Sequence, residues 1–348
     1  MIKRLIAVLA VAAIFGNVYA ARAATPLRPI NISYQPTNYW ALPFVLATKK
    51  GWWQKVGLQP KFSTFPAGAP QVAAAASGSW DVGGMGSVPA VLGAARYGIL
   101  TIGITNDESA TNALMVNGSK AAEYEKNPQA MKGQRILLTA NSTGEYAVVA
   151  CLKKYGLTES DVTPVDMGQA QILSALSGGS ANLGALWAPN TYTFEEKLHG
   201  KLLCSGRDAG AMIPGSLVAR AAYAKEHPDM VARFLAVYEH SIRWEKAHPA
   251  EAQKELVEAD KEGGTEISPA SAKAEMDLRP IYDLSQQLKI MSGSPSSVDR
   301  WFAGIIAFMK GKGSLQTVPK PQEFITAKYM KMVQDDPKLR AFANSSSD

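Results

Sequence analysis

The chain has 348 residues, with 36 Lys and Arg against 30 Asp and Glu and a formal charge of +6. That length accommodates two domains of ordinary size, and the weak basic excess, without a dense Lys/Arg run, argues against a nucleic-acid partner. Two cysteines and four scattered histidines, two of them directly before proline, offer no metal-ligand spacing, so neither a metal nor a cofactor is expected.

Residues 1–23 read as a secretory signal peptide. Lys3 and Arg4 precede an apolar stretch from Leu5 to Phe15 that is too short to span a bilayer, and Ala21-Arg22-Ala23 supplies a cleavage site. Cleavage after Ala23 removes three basic residues and no acid, so the formal charge falls from +6 to +3. No later segment approaches the roughly 18 uninterrupted apolar residues of a membrane-spanning helix.

Beyond the signal, residues 30–35 (INISYQ) alternate as a strand and 38–53 form a helix ending at Gly51. Residues 58–65 (LQPKFSTF) are a second strand, 68–80 a helix stopped by Gly78, and 81–86 (DVGGMG) a short buried strand. That order predicts a parallel sheet covered on both faces. It then recurs, with strands at 135–140, 161–167 and 182–189 and helices at 141–156 and 170–179. "AAAASGSWDVGGMG" and "LSALSGGSANLGALW" repeat one design, in which an Ala-containing helix end leads through Ser-Gly and a turn into a buried strand with glycine. The expectation is an α/β chain of two similar lobes with mostly parallel sheets. Lobe 1 takes residues 24–112 and 216–348, with helices at 228–248, 297–313 and 324–334, and lobe 2 takes 113–215. Residues 114–134 read as a polar link, and the final ANSSSD as a free tail.

In open α/β sheets, ligands bind beyond the carboxyl ends of the strands. Those positions hold Gln35, Asn38, Tyr39 and Trp40, then Gly86 and Ser87, then Asn106, Asp107 and Glu108. In lobe 2 they hold Ser142, Thr143, Gly144, Glu145 and Tyr146, then Trp187 and Asn190. Ser87 and the Ser142–Gly144 turn each open a helix, where up to four N–H groups lack partners and the dipole favours negative charge. Capping alone explains either turn. Two at matching places in two lobes suggest a grip on a small anion that needs no arginine. Tyr39, Trp40, Tyr146 and Trp187 offer aromatic walls or core packing. Asp107, Glu108 and Glu145 are read as solvated or capping acids, or as partners for a ligand amine. Cys151 and Cys204 suit a disulfide of an exported protein or two buried thiols, and both readings stay open. Neither sits at a strand end beside a histidine, and no hydrolase, phosphate-loop or zinc-protease motif occurs, so no enzymatic activity and no catalytic residue is expected.

"SYQPTNYWALPFVLATKKGWWQKVGLQP", "ASGSWDVGGMGSVPAV", "MKGQRILLTANSTGEYAVVACLKKYGL", "LSGGSANLGALWAP" and "VARAAYAKEHPDMVARFLAVYEHSIRW" occur in order along nearly the whole mature chain. Together they resemble the extracytoplasmic substrate-binding proteins of ABC importers, in the nitrate, sulfonate, taurine and bicarbonate group. The resemblance implies a type II periplasmic-binding-protein fold and a hinge of crossing strands near Leu114 and Leu217. It also implies a cleft lined by the loops listed above, ligand-driven closure, and docking on an ABC permease with its ATPase. The protein is then a periplasmic monomer without cofactor. An organic sulfonate or carboxylate is the expected ligand; a fold-related desulfinase, a sensor-feeding binder, and a binder of nitrate or an amine are the alternatives.

Overall fold

The computed structural model describes residues 26–348; the expected signal peptide lies outside the described residues. Among the described residues, ten strands form two five-stranded sheets. The first contains β1 (Arg28–Tyr34), β2 (Leu58–Thr64), β3 (Val82–Gly86), β4 (Ile99–Asp107) and a later strand, β10 (Pro214–Arg220), in the order β2-β1-β3-β10-β4. The second contains β5 (Asn112–Asn117), β6 (Arg135–Leu138), β7 (Thr163–Asp166), β8 (Leu183–Trp187) and β9 (Gly200–Ser205), in the order β7-β6-β8-β5-β9.

The two orders are the same pattern. In each, three parallel strands are followed by one antiparallel strand that enters from the other lobe, and then by an edge strand. Four strands of each sheet run in one direction and a single strand opposes them, so the sheets are mostly parallel, as expected, and mixed by that one strand. The antiparallel members are β10 and β5, the two strands that follow a crossing between lobes. Leu114 and Leu217 lie in the middle of these strands, inside the sheets. The crossings are the short stretches 108–111 and 206–213.

Residues 114–134 are not a link. Their first part belongs to β5, buried within the second sheet, and the rest forms the helix Gly118–Lys126 and a 3-10 turn. Period-2 burial shows how that sheet is covered on both faces. Leu114, Val116, Ile136 and Leu138 pack on one side with Val148 and Leu152. Ala113, Met115, Leu137 and Leu186 pack on the other with Ile172 and Phe194. The larger core of the first lobe draws in the C-terminal helices, including Pro228–Ala247 and Ser297–Gly311. The terminal residues are docked as well. The Asp348 carboxylate accepts from Trp244 Nε1 at 3.0 Å and pairs with Lys50 at 2.5 Å, so the polar SSSD stretch is held where a free tail was expected.

Cys151, on the helix Thr143–Lys154, is disulfide-bonded to Cys204 on β9, which selects one of the two sequence readings. The bond ties a helix to an edge strand across a sequence separation of 53 residues. By chain entropy a loop of that size contributes about 4 kcal/mol. The Cys151→Ala, Cys204→Ala double variant is expected to lose about that much in equilibrium urea unfolding; an unchanged midpoint would show that the bond constrains little.

Candidate functional site

A narrow cavity lies between the lobes. From the first lobe it is lined by Gln35, Asn38, Trp40, Gly68, Gly86 and Pro89, from the crossing segment by Glu108, and from the second lobe by Ser142, Thr143 and Trp187. Its volume is about 20 Å³, room for little more than one water. The lobes are thus nearly closed on one another.

Three helix N-termini open onto this space. The helix Gly68–Ala75 begins at a lining residue, the helix Ser87–Tyr97 begins between Gly86 and Pro89, and the helix Thr143–Lys154 begins at Thr143. The last two face each other in contact across the cleft. A Cβ added to Gly86 would lie 2.8 Å from Thr143 Cγ2, so glycine is what lets the two helix ends approach. A Cβ at Gly144 would lie 3.2 Å from the Trp187 ring, which covers the start of the lobe 2 helix.

Ser142 is the N-cap of its helix. Its hydroxyl accepts from the Glu145 N–H at 3.1 Å and donates to the Thr139 carbonyl at 2.6 Å, so the side chain is committed to the turn. The N–H groups of Thr143 and Gly144, at the first two helical positions, have no intrahelical acceptor and carry the positive end of the dipole. On the opposite wall the Gln35 side-chain amide donates to Gln71 Oε1 at 3.0 Å, and Gln71 is anchored on Ser33 Oγ and the Gly84 carbonyl. Asn38 precedes the short 3-10 turn Tyr39–Ala41, behind Thr37, a β-branched residue at φ 66°. That left-handed conformation costs a non-glycine residue about 1–3 kcal/mol and occurs mostly where function fixes the backbone.

Seven expected residues therefore meet at one cavity: Gln35, Asn38, Trp40, Gly86, Ser142, Thr143 and Trp187. The other seven fall elsewhere. Ser87 is buried, with Oγ unpartnered, and does not line the cavity. Gly144 lies under Trp187. Tyr39 is buried, and its hydroxyl titrates well above the usual tyrosine range because of burial and then the nearby Glu245. Asn106 stays in the sheet, its Oδ1 accepting from Thr105 Oγ1 at 2.8 Å. Tyr146 points to the outer seam and packs on Phe308, with ring centroids 5.1 Å apart. Asn190 opens the helix Asn190–Leu198 without lining the cavity. Glu145 turns away from the cavity: one oxygen accepts from the Asn141 N–H at 2.8 Å and the other meets Lys312 at 2.7 Å. Lys312 comes from the first lobe and also reaches Glu159 at 2.5 Å. Burial lowers the Lys312 pKa, but the two carboxylates outweigh it and hold it above the ordinary lysine value.

Glu108 and Pro89, which also follow strand ends, line the cavity, and so does Gly68, which the strand-end rule does not single out. The start of the helix after β2 was a legible signal, since it matches the positions of Ser87 and Ser142 in the same architecture.

The chain belongs to the NMT1/THI5-like family. The match covers residues 38–252. A Bacillus subtilis relative, provisionally named an aliphatic sulfonates-binding protein, is 30% identical over 216 residues, which is 60% of this chain and 64% of that protein. The taurine-binding periplasmic protein of Escherichia coli K12 is 27% identical over 173 residues, 49% of this chain and 52% of that one. Among solved structures, the alkanesulfonate-binding protein SsuA of Xanthomonas axonopodis pv. citri, bound to MOPS, superposes with a TM-score of 0.71 at 19% identity, covering 87% of this chain and 99% of that one. The nitrate-binding protein NrtA of Synechocystis PCC 6803 superposes at 0.70 with 10% identity, covering 92% of each. At these identities the structures establish a shared two-lobed binding-protein fold.

Behind the cavity lies a group of buried acids. Burial raises Glu245 to about 8, and raises Asp260 and Glu275 well above the ordinary carboxylate range; Arg279 opposes the rise at the last two. The folded chain thus holds protons that the unfolded chain releases above its ordinary carboxylate pKa. Stability from these groups is full below that value and is lost as pH rises through the folded values. The urea midpoint of the protein is expected to fall between about pH 5 and about pH 8; a midpoint that stays level or rises over this window would contradict the assignment.

Proposed function

We propose that the protein is the exported solute-binding component of an ABC importer, cleaved near Ala23 and working in the periplasm as a monomer. It takes a small organic anion, a sulfonate or carboxylate, between the lobes formed by residues 24–112 with 216–348 and by 113–215. It then presents the closed form to a membrane permease and its ATPase. The observation that carries this reading is the convergence of three helix N-termini on one interlobe cavity. Such ends supply backbone N–H donors and about half a positive charge each, which suits an anionic group without arginine. The names of the relatives fit the same role.

Trp40 and Trp187 favour an organic body over nitrate, since a fully polar ion gains little from aromatic walls. The small volume means that the lobes part to admit ligand and close on it. X-ray scattering should therefore give a smaller radius of gyration with saturating ligand than without; an unchanged radius would count against closure.

Thr143→Pro isolates the backbone contribution. Proline is well accepted at the first helical position, and Ser142, at φ −114° and ψ 163°, already has the extended conformation required before proline. The change removes one N–H without disturbing the helix. Relative to Thr143→Ala, calorimetry with an alkanesulfonate that the parent binds is expected to show a loss of about 1.5–3 kcal/mol, tenfold or more in affinity. Equal affinity of the two variants would make the turn a cap only.

A further inference from the structure

Away from the cavity, the lobes also meet along a seam between the lobe 2 helix Thr143–Lys154 and the lobe 1 helix Ser297–Gly311. Much of that seam is open. Val149 and Ala150 on one side and Gly304, Ala307 and Gly311 on the other border a groove of about 770 Å³. Tyr146 packs on Phe308 across it, and Lys312 reaches from lobe 1 to two lobe 2 carboxylates, Glu145 at 2.7 Å and Glu159 at 2.5 Å. The Glu145 side chain is only 3% exposed, against 23% for Lys312 and 29% for Glu159. Among the described residues no other Lys, Arg or His lies within 4.0 Å of the Glu145 carboxylate. The same carboxylate accepts from the N–H of Asn141, which stands at φ 55° in the left-handed region just before the Ser142 cap. One cation therefore answers a buried acid that in turn supports the turn at the cavity.

These ion pairs exist only while the lobes are together. Separation returns Glu145 to water, where it needs no partner, whereas in the closed form an unanswered Glu145 would be a buried charge. The cation thus lowers the energy of the closed form and not of the open one, and an interaction that differs between two states shifts their balance. We infer that Lys312 is a positioning residue that latches the lobes shut from outside the cavity, through Glu145 and Glu159, and that removing its charge favours the open form. The inference rests on the closing-lobe reading above; it concerns how closure is held, not what is bound.

The test traps the closed form without any ligand. A Cβ at Gly86 would lie 2.8 Å from Thr143 Cγ2, which puts the Cβ atoms of these two positions within the span of a disulfide when the lobes touch. The introduced thiols of Gly86→Cys with Thr143→Cys, released with a mild reductant, are oxidised with diamide. The rate at which the new bond appears, mapped by mass spectrometry beside the native Cys151–Cys204 bond, follows the closed fraction. Adding Lys312→Met is expected to slow that rate about tenfold. Lys312→Arg should restore most of it, and Lys273→Met, which removes a lysine paired with Asp277 within one helix, should leave it unchanged. Glu159→Gln should slow it by a smaller factor and decides the matter should Lys312→Met fold poorly in circular dichroism. With Glu145→Gln already present, Lys312→Met should slow trapping far less, because a neutral amide needs no cation. An unchanged rate in Lys312→Met, or in Glu159→Gln, overturns the latch and leaves closure standing. So does an equal slowing in the Glu145→Gln background, which would make the lysine a packing group. If the two-cysteine protein without further change forms no cross-link, closure itself falls and this inference falls with it.

Discussion

One buried guanidinium holds the junction of the two lobes. Arg279 is 1% exposed and sits where the end of the helix Pro269–Leu278 meets the crossing segment after β4. It bonds Thr111 on that segment and Glu275 on its own helix, and it stands near Glu108 at the edge of the cavity. The chain around it continues the attachment. The Asp107 N–H donates to the Pro280 carbonyl, the Tyr282 N–H to the Thr105 carbonyl, and Arg207 Nη2 to the Leu278 carbonyl. The C-terminal helices therefore strap both crossings. Arg279 faces Glu108, Asp260 and Glu275; burial raises all three carboxyl groups above their ordinary values, and the guanidinium opposes the rise. Removing one partner from such a buried set leaves an uncompensated charge, a much larger penalty than losing an exposed pair.

The lobes meet at a second place with different physics. Lys312 crosses the seam to two lobe 2 carboxylates, while Tyr146 packs on Phe308. These contacts take Glu145 out of electrostatic competition with the cavity. The acid that stands third in the helix, next to two free N–H groups, would repel an anion if it faced inward. Bound to Lys312 and to the Asn141 N–H, it instead supports the turn. Side chains thus satisfy the turn, and the start of the helix at Thr143 meets Gly86 of the other lobe.

The common strand order of the two sheets explains why the same device occurs twice. In each lobe the parallel strands end toward the cleft, so the helices that follow them start there. The convergence needs no matching side chains. Ser142 caps with its hydroxyl, whereas Gly86 and Ala67 precede their helices with no side-chain cap. What the three ends share is a tight, small-residue entry that lets backbone approach backbone.

Much of this was legible along the chain because it depends on local periodicity. The alternation at 30–35, the glycine stops at Gly51 and Gly78, and the recurrence of strand–helix–strand after residue 135 specify α/β lobes, and seven cavity residues follow from the rule that sites lie past strand ends. What the residues alone left open depends on long-range pairing. Nothing local distinguishes 112–117 as the strand that inserts antiparallel into the second sheet, since its partners lie about seventy to ninety residues later. Whether Cys151 finds Cys204 is likewise a matter of packing a helix on an edge strand. The acids show the division best. Glu145 and Glu108 each follow a strand end and carry the same charge, and only the folded chain sends one to Lys312 and leaves the other lining the cavity, because a carboxylate's role is set by the charges that distant segments bring within a few ångströms.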